Sequence, residues 1–301
     1  MLARPYILVV NGRKVRQPVF VIGAPHSGTD LLARALKRSA GFHVTMGQPA
    51  VVGVVHAFAR SPSIQRGRGE AATTVLRDAF AQAWQISPYG CMACSRPCRE
   101  AGRVDGAGVC VDERDVVRYG DASPDLIYCA DGLVDAFPDA RIVQIIRDGR
   151  DVVAGMLTDS GAVSMLRPGA ANVDSEFPNP FFGIETEADL AAWPGLSLAA
   201  KCALCWRGSV RQMARLRSSM GAEQLTTLRY EQVLSHPAAA ASAVSDFVGA
   251  KISVIPARAN GAAEPGRAME AGGWRRVLTP VQVNEVERVA GTDLRRVGYG
   301  G

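Results

Sequence analysis

The stretch VFVIGAPHSGTDLLARAL, Val19 to Leu36, passes from a branched apolar run through a glycine-bounded loop into apolar residues at helical spacing. A strand, a tight turn and a helix in that order commit the chain to a buried strand with a helix packed back on its sheet. Gly23 and Gly28 are spaced as in G-x-x-x-x-G-K-[ST], a loop whose backbone N–H groups face phosphate oxygens at a helix N-terminus. Thr29 stands where that pattern has its lysine, and Asp30 where it has the hydroxyl that binds magnesium. The loop therefore predicts an anion site and disfavours a magnesium-nucleotide kinase. A strand-to-helix turn that needs glycine only for its backbone is the other reading.

The rest of the chain repeats the alternation. Tyr6 to Val10, the turn signal Asn11-Gly12 and Val15 to Ile22 predict a small hairpin leading into a buried strand. Phe42 to Met46, Arg141 to Ile146 and Leu225 to Tyr230 are further strand candidates. Helical patterns cover Thr29 to Ala40, Ala71 to Trp84, Asp125 to Phe137, Gly149 to Leu157, Ser197 to Ser218 and Ala238 to Val248, and Thr279-Pro280-Val281-Gln282 has the composition of a helix start. The prediction is an α/β fold, a doubly wound parallel sheet with a P-loop-like strand-loop-helix, its ligand site beyond the carboxyl ends of the strands.

At 301 residues, 48% of them hydrophobic, the chain suits a single domain over 1–301. Two segments interrupt the pattern: a Cys-rich insert at about 88–112, and an aperiodic stretch at about 166–194. The second is expected to face substrate, with Phe177, Phe181, Phe182 and Trp193 as an apolar wall. The apolar runs are too short for a membrane helix and the start lacks a signal-peptide pattern, so a soluble, cytoplasmic protein is expected. The net charge of +5 rests on scattered arginines, and aromatics make up only 6% of the chain, which argues against a nucleic-acid partner.

Seven cysteines, an odd number, argue against a disulfide framework. Cys91, Cys94, Cys98 and Cys110 have gaps that suit tetrahedral zinc in a closed structural site, with reduced thiols as the alternative. Cys202 and Cys205 follow the helical pattern and, like Cys129, are expected in the core.

Four segments carry a resemblance. PVFVIGAPHSGTDLLARAL, FPDARIVQIIRDGRDVVAGML, LTTLRYEQVLSHP and GGWRRVLTP, in that order, resemble the motifs of the P-loop sulfotransferases, which use 3′-phosphoadenosine-5′-phosphosulfate (PAPS) as sulfuryl donor without a metal at the loop. The resemblance implies that Pro25, His26, Ser27, Gly28, Thr29 and Asp30 surround the 5′ end of the donor. It further implies Arg147, Trp274, Arg275 and Arg276 at the 3′-phosphate, with Gly155 at a position where a serine usually bonds it, and Tyr230 near the adenine. Beside the resemblance, a planar guanidinium at the end of a buried strand suits phosphate. Its alternative is that Arg147, Asp148, Arg150 and Asp151 pair with each other around a helix start, the reading favoured for Arg150 and Asp151.

The chain departs from those motifs at the chemical centre. His26 replaces an Arg or Lys, Asp30 brings a carboxylate, Ala122 replaces a Lys, Gly155 a Ser, and Gln48 stands where some relatives carry a catalytic Glu. Glutamine cannot take a proton from a hydroxyl, so His43, His56 and His26 are the candidate bases. The expected activity is sulfuryl transfer from PAPS to a hydroxyl of a small molecule or glycan. The alternative is a catalytically degenerate sulfotransferase fold kept for nucleotide binding or protein interaction.

Overall fold

A computed structural model describes residues 7–87, 89–255 and 270–300. Tyr6, at the start of the expected hairpin, and residue 88, at the start of the insert, lie outside them. Val9–Val10 (β1) and Arg13–Lys14 (β2) form the hairpin, with Asn11 at φ 50° and Gly12 at φ 68° in the turn. The central sheet holds Val19–Gly23 (β3), Phe42–Thr45 (β4), Arg118–Asp121 (β5), Arg141–Ile146 (β6) and Leu225–Arg229 (β7), in the order β4-β5-β3-β6-β7 and parallel throughout. β3 pairs with β6 along its whole length, from Val19 opposite Arg141 to Gly23 opposite Ile145.

Both faces of the sheet are covered, which is why its strands read as continuous apolar runs. On one face Phe20 and Ile22 meet an aromatic group of Phe80, Trp84 and Phe137, with Phe20 and Phe80 centroids 5.1 Å apart. On the other, Val19 and Val21 pack with Leu32, Leu36, Val143 and Ile145. The helices Thr29–Lys37, Gly149–Thr158, Leu198–Ser219, Pro237–Val248 and Pro280–Arg296 lie where their periodicity places them. Thr279 and Gln282 close a capping box at the start of the last.

Several elements correct the sequence reading. β5 was not expected, since RYGD carries no apolar pattern. Pro49–Arg60 is an additional helix, and the next one begins at Pro62, kinked at Gly69 (φ 37°), well before the expected Ala71. The expected helix over Asp125 to Phe137 is a 3₁₀ turn, Leu126–Cys129, followed by Ala130–Ala136. Within the insert, Arg96–Gly102 is helical, capped by Ser95 and buried at Cys98. The 166–194 stretch contains the short helix Glu187–Ala192, opened by a Thr186–Asp189 capping box. Cys129, Cys202 and Cys205 are core residues.

Candidate functional site

β3 ends at Gly23, at the middle of the sheet, where the strand order reverses, the chain passing to β4 and β5 on one side and to β6 and β7 on the other, which leaves a crevice. The loop that follows turns through His26 (φ 61°) into Gly28 (φ 92°), and Thr29 begins the helix with no side chain capping it. A Cβ on Gly28 would sit 2.4 Å from the Tyr230 ring, so close approach and left-handed backbone both require glycine there. The uncapped helix start opens on a cavity of about 370 Å³ lined by Pro25, His26, Gly28, Thr29 and Asp30, with Arg147, Gly155 and Tyr230 opposite. Ser27 does not line it; its Oγ is buried with no hydrogen-bond partner.

Arg147 is held by three elements at once. Its Nη1 donates to the carbonyl of His26 at 3.0 Å and its Nη2 to that of Glu270 at 3.2 Å, while the guanidinium lies 4.2 Å over the Tyr230 ring. Asp151 Oδ2 is 3.8 Å from Arg147 Nε. The stronger partners of Asp151 are the amides of Gly272 and Trp274, each at 2.8 Å, and burial moves its carboxyl above the usual carboxylate range. Arg150 pairs with Asp148 at 2.8 Å and donates to the Tyr299 carbonyl, which bears out the structural reading for that residue. Arg147 and Asp151 thus tie the glycine loop to the 270–274 segment. Trp274, Arg275 and Arg276 do not line the cavity: Arg275 lies over the Trp274 ring, and exposed Arg276 pairs with Glu270.

His26 turns toward the helix Gly149–Thr158. Its ring rests on Gly155, where a Cβ would lie 2.9 Å from Cγ, and its Nε2 is 3.3 Å from Asp159 Oδ2. The two departures at 26 and 155 are therefore one: the imidazole occupies the volume a serine would need. Asp159 is fixed in turn, because its Oδ1 accepts from the amides of Gly161 and Ala162.

The other base candidates are dispersed. Gln48 is the N-cap of the helix Pro49–Arg60; its Oε1 accepts from the Ala50 amide at 2.6 Å. His43 is buried away from the cavity, 3.6 Å from the Cys110 sulfur, and burial together with the Lys37 ammonium lowers it to about 4, so it is neutral near pH 7. His56 faces Asp125 at 3.9 Å, and Asp125 lines the cavity. Ala122 lines it as well and brings no charge.

Sequence reasoning missed Asp159 and Arg34. Arg34 lines the same cavity, is 6% exposed, and sits 4.0 Å from both Asp30 and Glu100, with Nε and Nη1 lacking hydrogen-bond partners. Its i,i+4 spacing from Asp30 was the available signal.

The insert brings its thiols together: Cys91 lies in hydrogen-bonding contact with Cys110 and Cys94, and Cys94 with Cys98. The Lys37 ammonium reaches into the group, 3.2 Å from Cys110 Sγ, and its second bond goes to the Val44 carbonyl. Burial opposes that charge, but the thiols of Cys98 and Cys110 raise Lys37 on balance. The Cys94 contact lowers Cys98 to about 6. Among the described residues no group of three or more His, Cys, Asp or Glu is disposed to hold a metal ion, so the expected zinc is not shown. All seven cysteines are free thiols.

The model of the sulfotransferase family matches residues 18–253. The chain belongs to the sulfotransferase family. No curated protein matches it. Among solved structures, the sulfotransferase domain of the Synechococcus PCC 7002 olefin synthase is similar at 14% identity, over 91% of this chain and 94% of that one, with a TM-score of 0.47. A sulfotransferase from Alicyclobacillus acidocaldarius is similar at 17% identity, over 92% and 96%, with a TM-score of 0.42. Mouse sulfotransferase SULT7A1 complexed with PAP is similar at 13% identity, over 93% and 86%, with a TM-score of 0.44. Among the described residues of this sulfotransferase-family chain, no helix is long and apolar enough to cross a membrane.

Proposed function

We propose that this protein transfers a sulfuryl group from PAPS to an acceptor hydroxyl. One observation carries the reading: an uncapped helix start, a glycine that must be glycine, and a buried arginine held by neutral carbonyls all line one cavity at the carboxyl end of β3. The residues suit such a donor. Backbone amides at Gly28 and Thr29 would take the 5′ end. Arg147 would take the 3′-phosphate, its guanidinium positioned by the carbonyls of His26 and Glu270. Sulfuryl transfer is a displacement at an electrophilic sulfur, so positioning and charge stabilisation by loop amides do most of what it needs.

The test is ligand-induced stabilisation. Adenosine 3′,5′-bisphosphate at millimolar concentration should raise Tm by mass action, and labelled PAPS should pass its sulfur to acceptor. No change in Tm would overturn donor binding. The alternative, a binding module without chemistry, rests on Gln48 being spent as a helix cap and on Ala122 carrying no charge. It predicts the same rise in Tm with no transfer to any hydroxyl.

A further inference from the structure

Two arginines line the main cavity, and they are held in opposite ways. Arg147 donates to the carbonyls of His26 and Glu270 and lies over the Tyr230 ring. Arg34 has no such anchorage. It projects from the second turn of the helix Thr29–Lys37, is only 6% exposed, and neither its Nε nor its Nη1 has a hydrogen-bond partner. The two nearby carboxylates, Asp30 Oδ2 and Glu100 Oε2, stop at 4.0 Å, beyond hydrogen-bond reach. Both are partly solvated, and Glu100 already accepts from Arg96 at 2.8 Å. A buried guanidinium with unmet donors is costly unless a ligand supplies the oxygens.

The surroundings narrow the chemistry of that ligand. Through Glu100, Arg34 faces the insert helix Arg96–Gly102. The lining residues from this side, Met46, Gly47, Ser95 and Pro97, bring no charge, and the Ser95 hydroxyl is spent on the Met46 carbonyl. One guanidinium with a carboxylate at 4.0 Å suits a single negative charge, whereas a phosphate dianion would be repelled by Asp30. The donor's two anionic ends are already assigned to the loop amides and Arg147. Asp30, one turn before Arg34, also sets a like charge between that loop and the free guanidinium. Resting on the transferase reading above, we propose that Arg34 is the subsite for a carboxylate on the acceptor, so that the substrate is a hydroxy acid and not a neutral alcohol or sugar. A planar carboxylate matches the guanidinium fork and takes two parallel N–H bonds.

Matched substrates test this at saturating PAPS: phenolic and aliphatic hydroxy acids, each beside its methyl ester. The acids should exceed the esters in kcat/KM by about tenfold or more, chiefly through KM, and Arg34→Met should close the gap. Arg34→Lys, which keeps the charge and loses the fork, should fall between. A binding arm needs no turnover. Benzoate should raise the Tm of the bisphosphate-loaded wild type and leave Arg34→Met unmoved, and benzamide should move neither. Arg34→Met should itself keep both its Tm and the bisphosphate-induced shift, because it removes donors that have no partner among the described residues. Esters that match the acids, benzoate without effect, or inorganic phosphate stabilising the loaded protein more than benzoate overturns the proposal. So does an Arg34→Met protein that loses stability or the bisphosphate shift, which would make Arg34 a structural or donor contact. A wild-type protein whose Tm ignores the bisphosphate instead fails the donor reading, which separates the two.

Discussion

The two halves of the sheet meet the cavity with different chemistry. On the β6–β7 side charged groups are tied down by backbone: Arg147 donates to the carbonyls of His26 and Glu270, and Asp151 accepts from the amides of Gly272 and Trp274. On the β4–β5 side the lining offers no cation. Ala122 is apolar, Gln48 is a cap, and Asp121 is fully buried against Thr45 and the Ser123 amide, its carboxyl pushed up to about 7 by burial. On the function proposed above, an anionic ligand would be anchored from one side only. What the other side cannot supply must come from the loop amides, His26 and Arg34.

The largest effect should separate the halves outright. Arg147→Ala removes two hydrogen bonds, a ring contact and the nearest cation to buried Asp151, and should cost about 3–5 kcal/mol in chemical denaturation. The same variant should lose the Tm shift with bisphosphate, and a retained shift would break the comparison.

A pH series probes the neutral half next. Asp121 has its folded pKa raised from the ordinary value near 4 to about 7, so the folded protein holds a proton the unfolded chain has released. Its contribution is fully present below about pH 4 and is lost as pH rises through 7. Asp121→Asn should flatten that part of the stability profile, by an amount on the order of 3 kcal/mol between pH 4 and pH 8. A profile that still falls with pH in the variant would move the effect to another group.

The smallest effect sharpens the contrast. Gln48→Ala should cost about 1 kcal/mol, the worth of a cap, and leave kcat within about twofold. A fall in kcat of about 100-fold would return position 48 to catalysis.

Much of the scaffold was legible because each signal is local. The branched runs of β3 and β6, the Asn11-Gly12 turn and the Thr279 box need only neighbouring residues to be recognised. β5 was not, because Arg118–Asp121 is four residues with a glycine, and it becomes a strand only through β3 and β4 on either side. The helix in the Cys insert depends on Ser95, whose hydroxyl both caps it and reaches the Met46 carbonyl across the fold. For the site, the loop and Arg147 could be expected, but the partners that define them could not. Asp159 lies 133 residues from His26, and Glu270 lies 123 from Arg147; no periodicity joins such pairs.

The contact between the imidazole at 26 and the bare backbone at 155 makes those two positions one unit of exchange. A hydroxyl at 155 has no room until the ring leaves, and a flexible cation at 26 would vacate that hollow. Redesign toward a lysine-and-serine arrangement therefore has an order, residue 26 before residue 155, because the reverse sets the new side chain against the ring.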